Sequence, residues 1–420
     1  MHLRNITAKI EEALADTPVV LLNGARQTGK STLVEWIAAS RHPADYYTLD
    51  NLATLSAVEK DPESFVNHLQ KAVIIDEVQK APGLFPAIKA SVDKNRKPGR
   101  FLLTGSANIL LLPKLSESLA GRMEIISLWP LSQGEIDRVN QNQKNLQENF
   151  IDCIFKKQLN FRLSQKISRD QLLDRILQGG YPEVLTRVTA HRREAWFESY
   201  ITAVLQRDIR EIAHIEGLTV LPRLLSLLAA RAAGLLNYAE LSRSTGIPHT
   251  TLMRYLILLE TTFLIYPVLA WSNNFSKRLV KSPKFYLNDT GLMCFLLGMN
   301  KSRLHSDLHI LGNIFENFVM TELKKQLTWN NTRANIFHYR TQSGQEVDAV
   351  LENTAGECTG IEIKLTSAVT EKDFKGLKSL AEDLDHKFIR GIILYTGEHL
   401  LPFGKNLYAV PISALWKNDT

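Results

Sequence analysis

At 420 residues the chain is too long for one ordinary hydrophobic core and long enough for two or three domains. Its 45% hydrophobic and 22% charged residues exclude a disordered or fibrous chain, and a formal charge of +6 permits a polyanionic partner without arguing for one. Scattered cysteines (Cys153, Cys294, Cys358), no apolar leader in MHLRNITAKIEEALADT and a longest apolar run broken by Arg223 and Arg231 argue against disulfides, secretion and a membrane span, so a cytoplasmic protein is expected.

From the start to about residue 136, the runs PVVLLNG, YYTLD, AVIIDEV, RFLLTGSA and MEIISL alternate with amphipathic segments. That alternation predicts a parallel sheet covered by helices. GARQTGKS satisfies G-x-x-x-x-G-K-[ST] between the strand VVLL and the helix TLVEWIAAS, the context in which the pattern becomes a phosphate loop. Gly24, Ala25, Arg26, Gln27, Thr28, Gly29, Lys30, Ser31 and Thr32 are therefore expected to cradle ATP. Backbone N–H groups and the helix N-terminus would hold phosphate, Lys30 would reach the terminal phosphates, and Ser31 would ligate Mg²⁺.

AVIIDEV delivers Asp76 and Glu77 to the C-terminal end of a buried strand, where ligands bind in such sheets. Asp76 is expected in the magnesium shell and Glu77 as the residue that orients or deprotonates attacking water. YYTLD is read as a strand added between the two motifs, which favours hydrolysis over transfer to a small substrate. Thr104, Ser106 and Asn108 close the next strand and suit sensing of the γ-phosphate, or form an ordinary turn. Arg122 in LAGRMEI is a candidate arginine for the transferred phosphoryl, supplied within or across subunits, or else a surface ion-pair partner.

GARQTGKST, IIDEVQKAP, LLTGSAN, LAGR and WPLSQGEI follow one another, and GGYPEV, YITAVLQRDI, KRLVKSPKFYLNDTGL, FENFV and EVD…EIK come later. Together they resemble a family of bacterial and archaeal predicted AAA-type ATPases. The resemblance covers nearly the whole chain. It implies an ATPase domain joined to a C-terminal domain of unknown function with a restriction-endonuclease-like core.

NQNQKNLQENF, residues 140 to 150, has the composition of a linker. Further on, LLNYAELSRSTGIPHTTLMRYLILLETTFLI is patterned as helix, turn, helix. Tyr238, Leu241 and Ile247 pin the first helix and turn, Gly246 supplies the turn, and Leu252, Tyr255, Leu256 and Leu259 line the second helix. Thr250, Thr251 and Arg254 would lie exposed near its start, the end that meets base edges in such motifs. NNFSKRLVKSPKFYLND would then form a hairpin wing whose Lys277, Arg278, Lys281 and Lys284 touch DNA phosphates, unless it faces another protein surface.

In GIEIK, Glu362 and Lys364 share one strand face and Ile361 and Ile363 the other. In EVDAVLE, Val347, Ala349 and Leu351 oppose Asp348, and a turn centred on Ala355 or Gly356 would set Asp348 across from Glu362 or Lys364. In the helix GNIFENFVMTELKKQL, periodicity leaves Glu316 and Glu322 equal, and only the resemblance, through FENFV, selects Glu316. Glu316, Asp348 and Glu362 then correspond to the carboxylates that bind Mg²⁺ or Mn²⁺ in restriction-endonuclease-like nucleases, with Lys364 activating water. An active nuclease face, an inert nuclease fold and a charged hairpin all remain open.

The expected class is α/β, in four parts. Residues 1–139 form an AAA-type P-loop domain, 140–168 a linker, 169–300 a helical region with a winged helix over about 218–290, and 301–420 a restriction-endonuclease-like domain. The expected function is Mg²⁺-dependent ATP hydrolysis coupled to DNA binding. The alternative is an ATP-controlled switch or scaffold whose accessory domains bind protein partners or a second copy of the chain and cut nothing.

Overall fold

The computed structural model describes residues 3–108, 119–141, 149–159, 161, 166–210 and 218–416. All five expected strands form: β1 (Val19–Asn23), β2 (Asp45–Thr48), β3 (Val73–Asp76), β4 (Phe101–Gly105) and β5 (Met123–Ser127). They make a fully parallel sheet in the order β2-β3-β4-β1-β5. Parallel strands buried on both faces need near-continuous apolar runs. Val19, Leu21, Val73, Ile75, Phe101 and Leu103 pack on one side against Leu84, Phe85, Ile88 and Val92. Val20, Leu22, Ile74 and Leu102 pack on the other against Leu33, Val34 and Ile37. One expectation is corrected in detail: the strand lying between the two motif strands is β4, whereas YYT forms β2 at the sheet edge.

The middle is helical. Its helices include α1 (Phe150–Phe155), α2 (Ala190–Ala203), α3 (Leu221–Ala230), α4 (Tyr238–Thr245) and α5 (His249–Thr261). The run after α2, Val204–Asp208, is a π-helical turn. Helix α1 overturns part of the expected linker. Phe150, Ile151, Cys153 and Ile154 are buried in the core, and the Phe150 backbone N–H donates to Gln326 Oε1 at 2.9 Å. Residues 142–148, 160 and 162–165 of that expected linker lie outside the described residues.

Helix, turn and helix form as patterned. Leu241, Ile247, Leu252, Tyr255, Leu256 and Leu259 are buried, and Gly246 closes α4 at φ 72°, a conformation that costs glycine least. The expected wing is only partly a hairpin. Strand β6 (Ile265–Val268) pairs antiparallel with β7 (Lys284–Leu287), but the connection contains a helix, α6 (Phe275–Val280).

Helix α7 (Leu308–Gln326) leads to the C-terminal sheet. Its strands are β8 (Ala334–Arg340), β9 (Glu346–Asn353), β10 (Cys358–Lys364), β11 (Phe388–Tyr395), β12 (Leu401–Pro402) and β13 (Leu407–Pro411), in the order β12-β13-β11-β10-β9-β8. The sheet is mixed: β8-β9-β10 are antiparallel, and β10-β11-β13 parallel. A single apolar core runs from α1 through the middle helices to α7 and this sheet, so the middle and C-terminal parts are packed as one body.

Candidate functional site

The phosphate loop sits between β1 and the helix Lys30–Ser40. Gly24 adopts φ 152°, and a Cβ there would lie 2.2 Å from the Leu128 carbonyl oxygen, so the close approach requires glycine. Gly29 adopts φ 92° at the helix start. Lys30 is buried, and its Nζ donates to the carbonyls of Gly24 and Ala25, both at 2.9 Å. Burial lowers its pKa, and the carboxylates of Glu77, Asp76 and Asp208 offset that only in part. Its charge is thus held by the loop without a direct carboxylate partner among the described contacts.

Ser31 Oγ donates to both oxygens of Asp76 at 3.0 Å. Asp76 also accepts from Thr104 Oγ1 and, at 3.0 Å, from Tyr46 Oη. The next residue, Glu77, has φ 60°, uncommon for a non-glycine residue, and its N–H donates to Thr104 Oγ1 at 3.0 Å. The Glu77 carboxylate accepts from Gln79 Nε2, which also reaches Ser106 Oγ at 2.9 Å. The structure thereby brings together Lys30, Ser31, Asp76, Glu77, Thr104 and Ser106 at the C-terminal ends of β1, β3 and β4. A magnesium ion fits this donor set: Ser31 Oγ and the Asp76 carboxylate already converge, both oxygen ligands of the kind a hard cation takes.

Sequence reasoning missed Tyr46, Gln79 and Asp208. Asp208, at the π-helical turn of the middle region, pairs with Arg26 of the phosphate loop at 2.9 Å. Asn108, beyond β4, donates its N–H at 2.7 Å to the carbonyl of Thr261, the last residue of α5. No periodic pattern announces contacts of this range. Arg122 forms a two-point ion pair with Asp93, Nε–Oδ1 at 2.6 Å and Nη2–Oδ2 at 3.0 Å, which is the surface-pair alternative.

On the helix-turn-helix, Thr250 and Arg254 are exposed and Thr251 is half-exposed. Lys277 and Lys281 are exposed as well. Arg278 and Lys284 depart from the expected wing. The Arg278 side chain is 8% exposed, paired with Glu352 at 2.9 Å (Nη2–Oε1) and packed on the rings of Phe275, Phe337 and Trp271. Lys284 points into the C-terminal part. Its Nζ lies 2.9 Å from Glu316 Oε1 and 3.4 Å from Asp348 Oδ1. Both cations are consumed by carboxylates within the chain, so neither is free to meet a phosphate.

The expected acidic face does assemble around β9 and β10. The ladder Cys358↔Glu352 to Ile361↔Ala349 centres the turn on Ala355 and ends one residue short of Asp348 and Glu362. A bulge interrupts β9: Phe337 pairs with Val350 but Tyr339 pairs with Val347. Val347 consequently joins Val350 in the cluster beneath the Lys375–Leu384 helix, while Ala349 and Leu351 pack on the α7 side, against the strict alternation expected. Asp348 Oδ2 accepts the Ile363 N–H at 2.9 Å, and Lys364 Nζ pairs with Glu362 Oε1 at 2.8 Å. Tyr286 Oη donates to Glu316 Oε1 at 2.8 Å.

Burial, then the neighbouring Asp348 carboxylate, pushes the Glu316 carboxyl up to about 7 and that of Glu362 up to about 8. Lys284 moves upward despite its burial, because Glu316 and Asp348 hold it charged. A divalent ion does not fit here as the residues stand. The Lys284 ammonium already occupies the carboxylate oxygens such an ion would need, and among the described residues no group of three acidic, histidine or cysteine side chains is arranged to hold a metal. Glu322, the other acidic position of α7, instead accepts from Lys325 Nζ at 2.7 Å and from the Gln133 N–H at 2.9 Å. It braces the P-loop part against α7.

Residues 16–137 match the model of an AAA domain, 169–303 a domain of unknown function (DUF8612), and 311–415 another (DUF4143). The uncharacterized protein Rv2008c of Mycobacterium tuberculosis is 32% identical over 97% of this chain and 83% of its own length. An uncharacterized protein of Haemophilus influenzae is 22% identical over 73% of this chain and 74% of its own. Among solved structures, the Thermotoga maritima RuvB Holliday junction branch migration motor superposes with a TM-score of 0.29 at 18% identity, over 62% of this chain and 88% of that one. So loose a likeness places no constraint on this chain. No helix among the described residues is long and apolar enough to cross a membrane. The extent of the mycobacterial match shows that the chain belongs to the same family as Rv2008c, here built from an AAA domain followed by two domains of unknown function.

Proposed function

We propose that the protein is a Mg²⁺-dependent ATP hydrolase whose nucleotide state is passed to the helix-turn-helix of the middle region, which contacts DNA. The observation that carries this reading is the path from Glu77 through Gln79 to Ser106, and from nearby Asn108 to the end of α5. In this reading Ser31 and Asp76 hold Mg²⁺, and Lys30 binds the terminal phosphates. Glu77 orients the attacking water, and Gln79 holds its carboxylate in place. Ser106 and Asn108 register the γ-phosphate. Arg122 has no role within one subunit in this reading, because Asp93 holds its guanidinium.

The DNA-contacting surface is proposed to comprise Thr250, Thr251, Arg254, Lys277 and Lys281, with Arg278 and Lys284 removed from it because both are buried in ion pairs. The C-terminal part is proposed to be an inert nuclease-like fold that stiffens this surface rather than a blade. The test is duplex-DNA affinity as a function of salt, with and without ATP, in wild type and Glu77→Gln. The expected result is an affinity that falls with salt, changes with nucleotide, and shows a salt slope shallower by about one unit after Lys281→Ala. A salt-independent affinity would leave the switch acting on a protein partner instead.

A further inference from the structure

The acidic face of the C-terminal sheet has the three carboxylates that the sequence suggested, and it also has a tenant. Lys284 comes from β7 of the middle region, 32 and 64 residues before the two acids it meets. Its side chain is 7% exposed. At 2.9 Å and 3.4 Å its ammonium shares Glu316 Oε1 and Asp348 Oδ1, while Tyr286, two residues on along the same strand, donates to the same Glu316 oxygen. The remaining oxygen of Asp348 is taken by the Ile363 N–H, and one oxygen of Glu362 by Lys364. Among the described residues, Glu362 Oε2 is buried without a hydrogen-bond partner.

We propose that Lys284 is the built-in cation of this face, so that the face is an ionic seam joining β7 to the C-terminal sheet and takes no divalent ion in the intact chain. The chemistry is a competition for the same oxygens. Mg²⁺ demands near-octahedral oxygen ligands at about 2.0–2.1 Å. To use Glu316 and Asp348 it would have to displace an ammonium tethered by the fold and supply water to a buried carboxylate pair. A tethered cation needs no association step, whereas a free ion loses translational freedom on binding. The balance of charge agrees: Glu316, Asp348 and Glu362 face Lys284 and Lys364, so the acids are nearly neutralised without a metal. The inference stands independently of ATP hydrolysis.

The test is Mn²⁺ binding by the full-length, nucleotide-free protein, read by electron paramagnetic resonance. Wild type and Asp348→Asn are expected to bind Mn²⁺ identically, any weak binding belonging to the phosphate loop. Lys284→Met keeps the stem and removes the charge. It is expected to gain a Mn²⁺ site at least about tenfold tighter than any in wild type, and adding Asp348→Asn is expected to abolish it. Lys284→Arg, which keeps the cation, is expected to gain none. A wild-type Mn²⁺ site lost in Asp348→Asn would overturn the proposal, as would a folded Lys284→Met that gains no site. Should Lys284→Met not fold, the comparison of wild type with Asp348→Asn decides the matter alone.

Discussion

The phosphate loop and the acidic face of the C-terminal sheet each bury a lysine near acids, and the difference between them separates a binding site from a structural seam. Lys30 gives its hydrogen bonds to backbone carbonyls, lies near Asp76 and Glu77 without pairing to either, and has its pKa lowered by burial. Lys284 is directly paired to Glu316 and Asp348 and has its pKa raised. A cation meant for a ligand's phosphates must stay uncompensated until the ligand arrives, at a cost to the free protein. One meant to join two elements is neutralised at once.

Stability should separate the two lysines most. Breaking a buried pair leaves uncompensated charge, so Lys284→Ala is expected to lose about 3–5 kcal/mol in denaturant unfolding. Lys30→Met removes a cation whose burial is not repaid by direct pairing, and is expected to hold or raise the unfolding midpoint. A loss at Lys30 as large as at Lys284 would erase the contrast.

The seam also has a pH signature. His338 is buried beside it, with Nε2 3.2 Å from the Ser282 carbonyl oxygen and Nδ1 without a hydrogen-bond partner among the described residues. Burial and the charge of Lys284 lower its pKa to about 4. The folded protein then binds fewer protons than the unfolded chain below about pH 6.5, so this stabilisation is complete above pH 6.5 and is lost as pH falls towards 4. The contribution is at most roughly 3 kcal/mol. Glu316 and Glu362 have raised values and oppose it, because the folded state retains their protons. The readout is therefore a difference: relative to wild type, His338→Gln is expected to shift the change in stability from pH 7 to pH 5 in the stabilising direction, whatever the sign of the wild-type change.

The smallest effect is expected where the P-loop part meets the middle region. The Arg26–Asp208 pair is partly exposed on the arginine side, so a double-mutant cycle with Arg26→Ala and Asp208→Ala is expected to give a coupling of about 0.5–1 kcal/mol in stability. A larger change in ATP affinity than in stability would mark the pair as a link to the nucleotide rather than a brace.

The contrast also explains what could be read from the chain. The parallel sheet was legible because its strands are continuous apolar runs, and the phosphate loop because its glycines and lysine are contiguous. Leu252, Tyr255, Leu256 and Leu259 showed the second helix by their spacing, and all four are buried as that spacing requires. Lys284 was not legible as a seam residue, because a lysine in a cluster of cations looks like a solvated wing until its partners, Glu316 and Asp348, are folded against it. Arg278 misled for the same reason, with Glu352 arriving from 74 residues away. Helix α1 hid in a Gln- and Asn-rich context, and the β9 bulge at Asp348 cannot be seen in an alternation that the sequence otherwise keeps.

The most direct measurement is phosphate release from ATP and Mg²⁺ by wild type and Lys30→Met, each confirmed folded by its unfolding transition. A loss of at least about 100-fold in turnover with an undiminished midpoint is predicted. An unchanged rate in folded Lys30→Met would contradict the assignment of Lys30 as the cation held ready for phosphate.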